Sequence, residues 1–151
     1  MTTIQEKLDK LELELSHGND ISIINLVDYL IEKAHTSRVS DIHIDPSSKD
    51  ITVRFRIDGV LSEAYTFPKN LHGEIISRIK VLSRLRTDEH QMTQDGRFRY
   101  QIATEVIDIR VSVMPTFYGE KLEMRLLESA QKPLSLEELG MLPEVSKKLI
   151  Y

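Results

Sequence analysis

From residue 40 onward the apolar residues recur at every second position, and that period dictates strands rather than helices. "SDIHIDP" alternates Ile42 and Ile44 against Asp41, His43 and Asp45, and Pro46 closes the run. "DITVRFRIDG" sets Ile51, Val53, Phe55 and Ile57 against Thr52, Arg54, Arg56 and Asp58. Asp58-Gly59 is a tight-turn signal, so residues 50–66 read as a hairpin whose return strand is "VLSEAYTF". Three more alternating runs follow: "RFRYQIA", "VIDIRVSVMP" and "KLEMRLLE". Their apolar sides are Phe98, Tyr100 and Ile102, then Ile107, Ile109, Val111 and Val113, then Leu122, Met124 and Leu126. Between the two groups lies one helical stretch, "PKNLHGEIISRIKVLSRL", with Pro68 near its start and Leu71, Ile75, Ile79 and Leu82 facing inward. The order β-β-β-α-β-β-β with hairpin connections predicts an α+β fold, a mostly antiparallel sheet with helices on one face.

Two helical patterns precede the strands. In "TTIQEKLDKLELELS", Ile4, Leu8, Leu11 and Leu15 share one face, and this segment either docks on the body or serves as a partner-binding arm. "HGND" breaks it, Asp20 or Ser22 caps the next helix, and Ile24, Val27, Ile31 and Ala34 form that helix's buried stripe. After residue 128 the composition shifts toward Pro, Ser and acidic residues, which reads as a linker.

Composition removes several function classes. A chain without cysteine has no disulfide and no thiolate chemistry, which fits a reducing cytoplasm. A formal net charge of -4 argues against bulk nucleic-acid binding, because neutralising a phosphate backbone needs a basic surface. No stretch approaches the roughly 20 apolar residues that span a bilayer. Asp41, His43 and Asp45 share one strand face, but same-face neighbours point in parallel rather than converging on one ion, so no metal site is expected. The other histidines, His17, His35, His72 and His90, are scattered, and no nucleophile–base ordering is visible. No G-x-x-x-x-G-K-[ST] occurs, so the 151 residues hold no P-loop.

The arginines are more informative. Arg54 and Arg56 share a strand face, Arg97 and Arg99 share another, and Arg110 and Arg125 sit on outward positions of later strands. Planar guanidinium forks suit phosphate, yet cross-strand pairing with Asp58, Asp108 and Glu123 would explain any one of them. "TQDGRFRY" carries both signals: Asp95-Gly96 predicts a second tight turn, and that turn would place Arg97 at a strand start, able to reach outside the domain.

"SDIHIDP", "VRFRIDGVL", "SRIKVLSRL", "QDGRFRY", "DIRVSVMPTFYGEKLEMRLL" and "LSLEELGM" follow one another collinearly. Together they resemble the N-terminal region of the type II secretion and type IV pilus assembly ATPases. Behind the amphipathic leading helix read over 1–19, the resemblance, which covers roughly residues 20–145, implies a PAS-like domain over 20–128 and a linker over 129–151 leading toward a RecA-like ATPase domain. It further implies a regulatory, nucleotide-gated role in a cytoplasmic hexamer at the inner membrane, with ATP and magnesium held by the ATPase domain and no cofactor bound in this region. The partners implied are the ATPase domains of the same and neighbouring subunits and an inner-membrane platform or scaffold protein. Arg97 matches the family's phosphate-reaching arginine in "QDGR", while Arg78 and Arg110 match family positions that structural pairing would explain equally well. The alternative is a non-catalytic interaction module that docks the motor to its membrane platform.

Overall fold

The computed structural model describes residues 22–128 and Gly140. The expected leading helix over 1–19 and the linker over 129–151 lie outside the described residues, Gly140 apart. The described elements are α1 (Ile23–Thr36), β1 (Asp41–Pro46), β2 (Asp50–Ile57), β3 (Val60–Pro68), a single 3-10 turn (Lys69–Leu71), α2 (His72–Leu82), β4 (Gln94–Ile102), β5 (Glu105–Thr116) and β6 (Gly119–Glu128). All strand pairings are antiparallel, in the order β3-β2-β1-β6-β5-β4. Two three-stranded meanders therefore lie side by side. The β1–β6 pairing joins them, and α2 carries the chain from one edge of the sheet to the other.

Period-two alternation buries one face of every inner strand. Ile42 and Ile44, Ile51 and Val53, Ile107, Ile109, Val111 and Val113, and Leu122 and Met124 form a continuous core with Leu26, Val27, Leu30 and Ile31 of α1 and Ile75, Ile76 and Ile79 of α2. Each such side chain, fully buried, contributes about 1.5–3 kcal/mol of transfer free energy. Both helices thus pack on one face of the sheet. Ser22 caps α1 by accepting from the Asn25 amide (3.4 Å). Ile24, expected in its buried stripe, is instead half exposed; the stripe runs through Leu26, Tyr29 and Leu30 as well as Val27, Ile31 and Ala34.

The two Asp-Gly pairs behave differently. Asp58 (φ 50°) and Gly59 (φ 80°) make the two-residue turn that the sequence indicates, with both central residues left-handed. Asp95-Gly96 is not a turn. Both residues lie inside β4, opposite Ser112 and Val111, and neither has positive φ. Gly96 is required for space: a Cβ there would stand 2.9 Å from the Ser83 carbonyl oxygen and 2.9 Å from Leu85 Cδ2. The reversal after β4 is made by Ala103-Thr104, with Ala103 at φ 52° and Ile102 paired to Glu105.

Candidate functional site

The face of the sheet away from the helices carries the polar members of every alternation. Strand register sets them in rows. One row runs Arg97–Arg110–Arg125–Asp41–Arg56 across β4, β5, β6, β1 and β2. The next runs Asp95–Ser112–Glu123–His43–Arg54–Glu63 across all six strands. No single segment of sequence contains either row; the pairing of β1 with β6 creates them.

Charge is balanced on one side of this face and not on the other. Asp41, buried under the row, is the hub. Its Oδ1 accepts from Arg125 Nε (3.0 Å), its Oδ2 accepts from Ser40 Oγ (2.8 Å), and Arg56 Nε stands 3.9 Å from Oδ2. Burial pushes the Asp41 carboxyl upward, but the hydrogen bonds from Ser40 and Arg125 and the nearby positive charge outweigh it, so it lies below the ordinary aspartate value. The same pair raises Arg125 above the ordinary arginine value through the bond and charge of Asp41. Arg54 reaches Asp45 (3.1 Å) and Glu63 (3.8 Å), and Arg99 reaches Asp108 (3.2 Å).

Arg97 and Arg110 are the exception. They are direct cross-strand neighbours, both exposed, and neither makes a hydrogen bond or ion pair among the described residues. Like charges placed opposite one another in a sheet repel, so two adjacent arginines without a direct acid partner among the described residues are an arrangement that folding alone does not favour. Around them the surface dips into a concavity of ≈ 570 Å³ lined by Asp95, Arg97, Arg110, Ser112, Glu123 and Arg125. A second of ≈ 390 Å³ on the other side shares Arg97 and Arg110.

Comparison with known proteins places the chain in a family. A family model described as "Type II/IV secretion system protein" matches residues 16–150. The chain belongs to that family. It is 39% identical over 138 residues to the type II secretion system protein E of Aeromonas hydrophila, covering 91% of this chain and 28% of that relative. It is 37% identical over 137 residues to the type IV pilus assembly ATPase PilB of Myxococcus xanthus, covering 90% of this chain and 24% of that one. The X-ray structure of the Legionella pneumophila ATPase DotB shares the fold, with a TM-score of 0.57 at 14% identity over 83% of this chain and 35% of that chain. The chain thus spans less than a third of the length of these curated relatives.

In this family member the residues singled out from sequence separate. Arg97 and Arg110 come together on the open face. Arg78 does not join them: it is on α2, behind the sheet, with its Nε buried and without a hydrogen-bond partner among the described residues. Asp95 lines the concavity rather than making a turn. Among the described residues the acids that pair the strand arginines are Asp41, Asp45, Glu63 and Asp108, so of the partners expected from sequence Asp108 serves and Asp58 and Glu123 make no such pair. Asp41, His43 and Asp45 hold no metal geometry, and no cluster of three or more potential ligands occurs among the described residues. No helix among those residues is long and apolar enough to cross a membrane.

Two features escaped the sequence reading. Lys80 is fully buried beside Glu120, 2.8 Å from its Oε1. The spacing Ile75, Ile76, Ile79, Lys80 puts that lysine on the inward stripe of α2, a signal present in the sequence. The β5–β6 turn presents Phe117 (93% exposed) and Tyr118, ring against ring in a T-shaped pair. Its base is fastened by Lys69 Nζ, which donates to the Tyr118 carbonyl, and by Thr116 Oγ1, which donates to that of Gly119.

Proposed function

We propose that this chain is a nucleotide-gated regulatory region of a hexameric secretion or pilus-assembly ATPase, and that its PAS-like domain packs on the ATPase domains of its own and neighbouring subunits. Arg97 and Arg110 then reach the phosphates of the nucleotide held there. The observation that carries this reading is the unpaired Arg97–Arg110 neighbourhood on an open sheet face. Two guanidinium planes side by side can bridge oxygens of a polyphosphate bidentately, and an anion relieves the repulsion between them. The same residues cannot hold a magnesium nucleotide by themselves, since no P-loop is present in the sequence and no carboxylate cluster occurs among the described residues. ATP and magnesium belong to the ATPase domain in this reading; this region supplies positive charge where phosphate charge develops. The setting proposed is cytoplasmic, peripheral to the inner membrane.

The test uses the protein together with its ATPase domain. Arg97→Ala should lower turnover on the order of 10³-fold with nucleotide binding largely kept, the loss expected when an arginine that stabilises transferring phosphate charge is removed. Arg97→Lys should recover only part of it, because an ammonium cannot form the planar fork. Undiminished turnover in Arg97→Ala would overturn the reading.

The exposed Phe117–Tyr118 tip favours a second reading, a module docking the motor to its membrane platform, since a fastened and exposed aromatic pair is an efficient anchor. In that case Phe117→Ala abolishes platform capture while Arg97→Ala leaves turnover intact.

A further inference from the structure

The buried charges behind the arginine strand are not used by the anion contact, yet they join the segments that lead into that strand. Glu120, at the start of β6, has its Oε1 2.8 Å from both Lys80 Nζ and His90 Nδ1. Lys80 Nζ also donates to the Glu89 carbonyl (2.7 Å). That carbonyl accepts in turn from Gln94 Nε2 (3.4 Å), and Gln94 brackets Arg86 by accepting from its amide (2.9 Å) and donating to its carbonyl (3.0 Å). One lysine and one glutamate thereby tie together α2, the connection over 83–93, the first residue of β4 and the start of β6. Gly96, two residues further, packs against Ser83 and Leu85 of the same connection, and Arg97 follows it.

Stability alone does not account for the choice of residues. A buried ion pair contributes no more than a well-packed apolar pair would, because desolvation consumes its Coulomb energy. The connection itself has no regular structure, and each residue ordered there costs about 1–2 kcal/mol of chain entropy. Directional bonds to Glu89 and His90 do what apolar packing cannot: they fix one path for the connection. Glu120 Oε2 is buried and makes no hydrogen bond among the described residues, so the polar pairing converges on Oε1.

We infer that Lys80, Glu120 and His90 form a clasp that positions the arginine strand, setting where the 83–93 connection delivers Gln94 and, with it, Arg97 to the open face. Its consequence for phosphate contact rests on the proposed function; the clasp itself rests on this geometry alone.

Amide hydrogen exchange on the 151-residue chain tests it. His90 is exposed, so His90→Ala threatens folding little. Exchange over residues 86–97 should quicken about tenfold, the loss expected for one bond to a charged group, with the β1–β2 ladder unchanged. His90→Gln, which keeps a donor, should restore part of the protection. Lys80→Met combined with Glu120→Leu separates positioning from stabilisation: melting stays near that of the unmodified chain while residues 86–97 still exchange fast. Wild-type protection over 86–97 in both His90→Ala and the apolar pair would overturn the clasp, as would a loss spread evenly over β1 and β2. With the ATPase domain present, the apolar pair should lower turnover without weakening nucleotide binding. If Arg97→Ala has no effect there, the phosphate contact falls, and the exchange pattern still decides the clasp.

Discussion

The open face of the sheet divides into two regions built from the same residue types. On β1 and β2, Arg54 and Arg56 lie opposite His43 and Asp41, with Asp45 and Glu63 in reach, and each guanidinium has an acid within 4 Å. On β4 and β5, Arg97 lies opposite Arg110 and neither has one among the described residues. Both regions are antiparallel strand pairs; the pairing of sequence positions differs. An arginine beside an acid spends its charge inside the domain, whereas one beside another arginine keeps its charge for an outside anion. Arg125 stands on the border, next to Arg110 on one side and bound to Asp41 on the other.

The comparison breaks most severely if β4 is moved. Gly96→Val would drive a side chain into the Ser83 carbonyl and Leu85, and overpacking against backbone costs about 3 kcal/mol. Thermal unfolding should show the loss. Gly96→Ala should show a smaller one of the same sign, since the obstacle is space rather than φ. Near-wild-type melting of both would mean that α2's end does not approach β4 this closely.

Asp41→Ala should cost less, about 1.5–3 kcal/mol, the range for a hydrogen bond to a charged group. It removes the acid shared by Arg56 and Arg125, so the paired region should come to resemble the unpaired one. The pH dependence follows from its lowered carboxyl. A depressed folded-state pKa gives stability that is fully present above the unfolded value near 3.8 and is lost as pH falls through the folded value. Asp41→Asn should flatten that acid limb of the melting curve and leave the neutral region's pH response unchanged. An unchanged acid limb would show that another carboxylate controls it.

Much of this was legible in the sequence, and the misses share a cause. Alternation located all six strands and the inward residues of β5 and β6, because a period of two is a local property. The Asp58-Gly59 turn was legible for the same reason. Asp95-Gly96 has the same two letters but a different neighbourhood: α2's end fills the space beside Gly96, a contact no local window contains. The actual turn uses Ala103, which local chemistry does not nominate for positive φ. Arg97 and Arg110 were legible one at a time as outward positions, but their adjacency depends on β4–β5 register. Asp41 as the arginine hub depends on β1 meeting β6 across most of the domain, with Arg125 84 residues away along the chain. Lys80 lay hidden because a cation late in a helix has a ready local explanation.

Smaller effects sharpen the division. Arg54→Ala should cost about 0–1 kcal/mol, because its pairs with Asp45 and Glu63 are partly exposed. That cost should shrink as salt is raised, and a cost insensitive to salt would place the contribution in packing of the arginine stem instead.

The most direct test of the account is the stability of the 151-residue chain at low and high salt with Arg97→Ala, Arg110→Ala and both replaced. With no hydrogen bond or ion pair among the described residues, neither arginine stabilises the fold, and their mutual repulsion is strongest at low ionic strength. Each single variant should therefore melt at or slightly above the wild-type temperature in low salt, with the difference vanishing in high salt. The double variant should gain no more than Arg110→Ala alone, since that replacement already removes the contact of Arg110 with Arg97 and with Arg125. A fall in melting temperature for Arg97→Ala or Arg110→Ala at low salt would mean that these guanidinium groups are paired within the domain, and the case for an outside anion would fail.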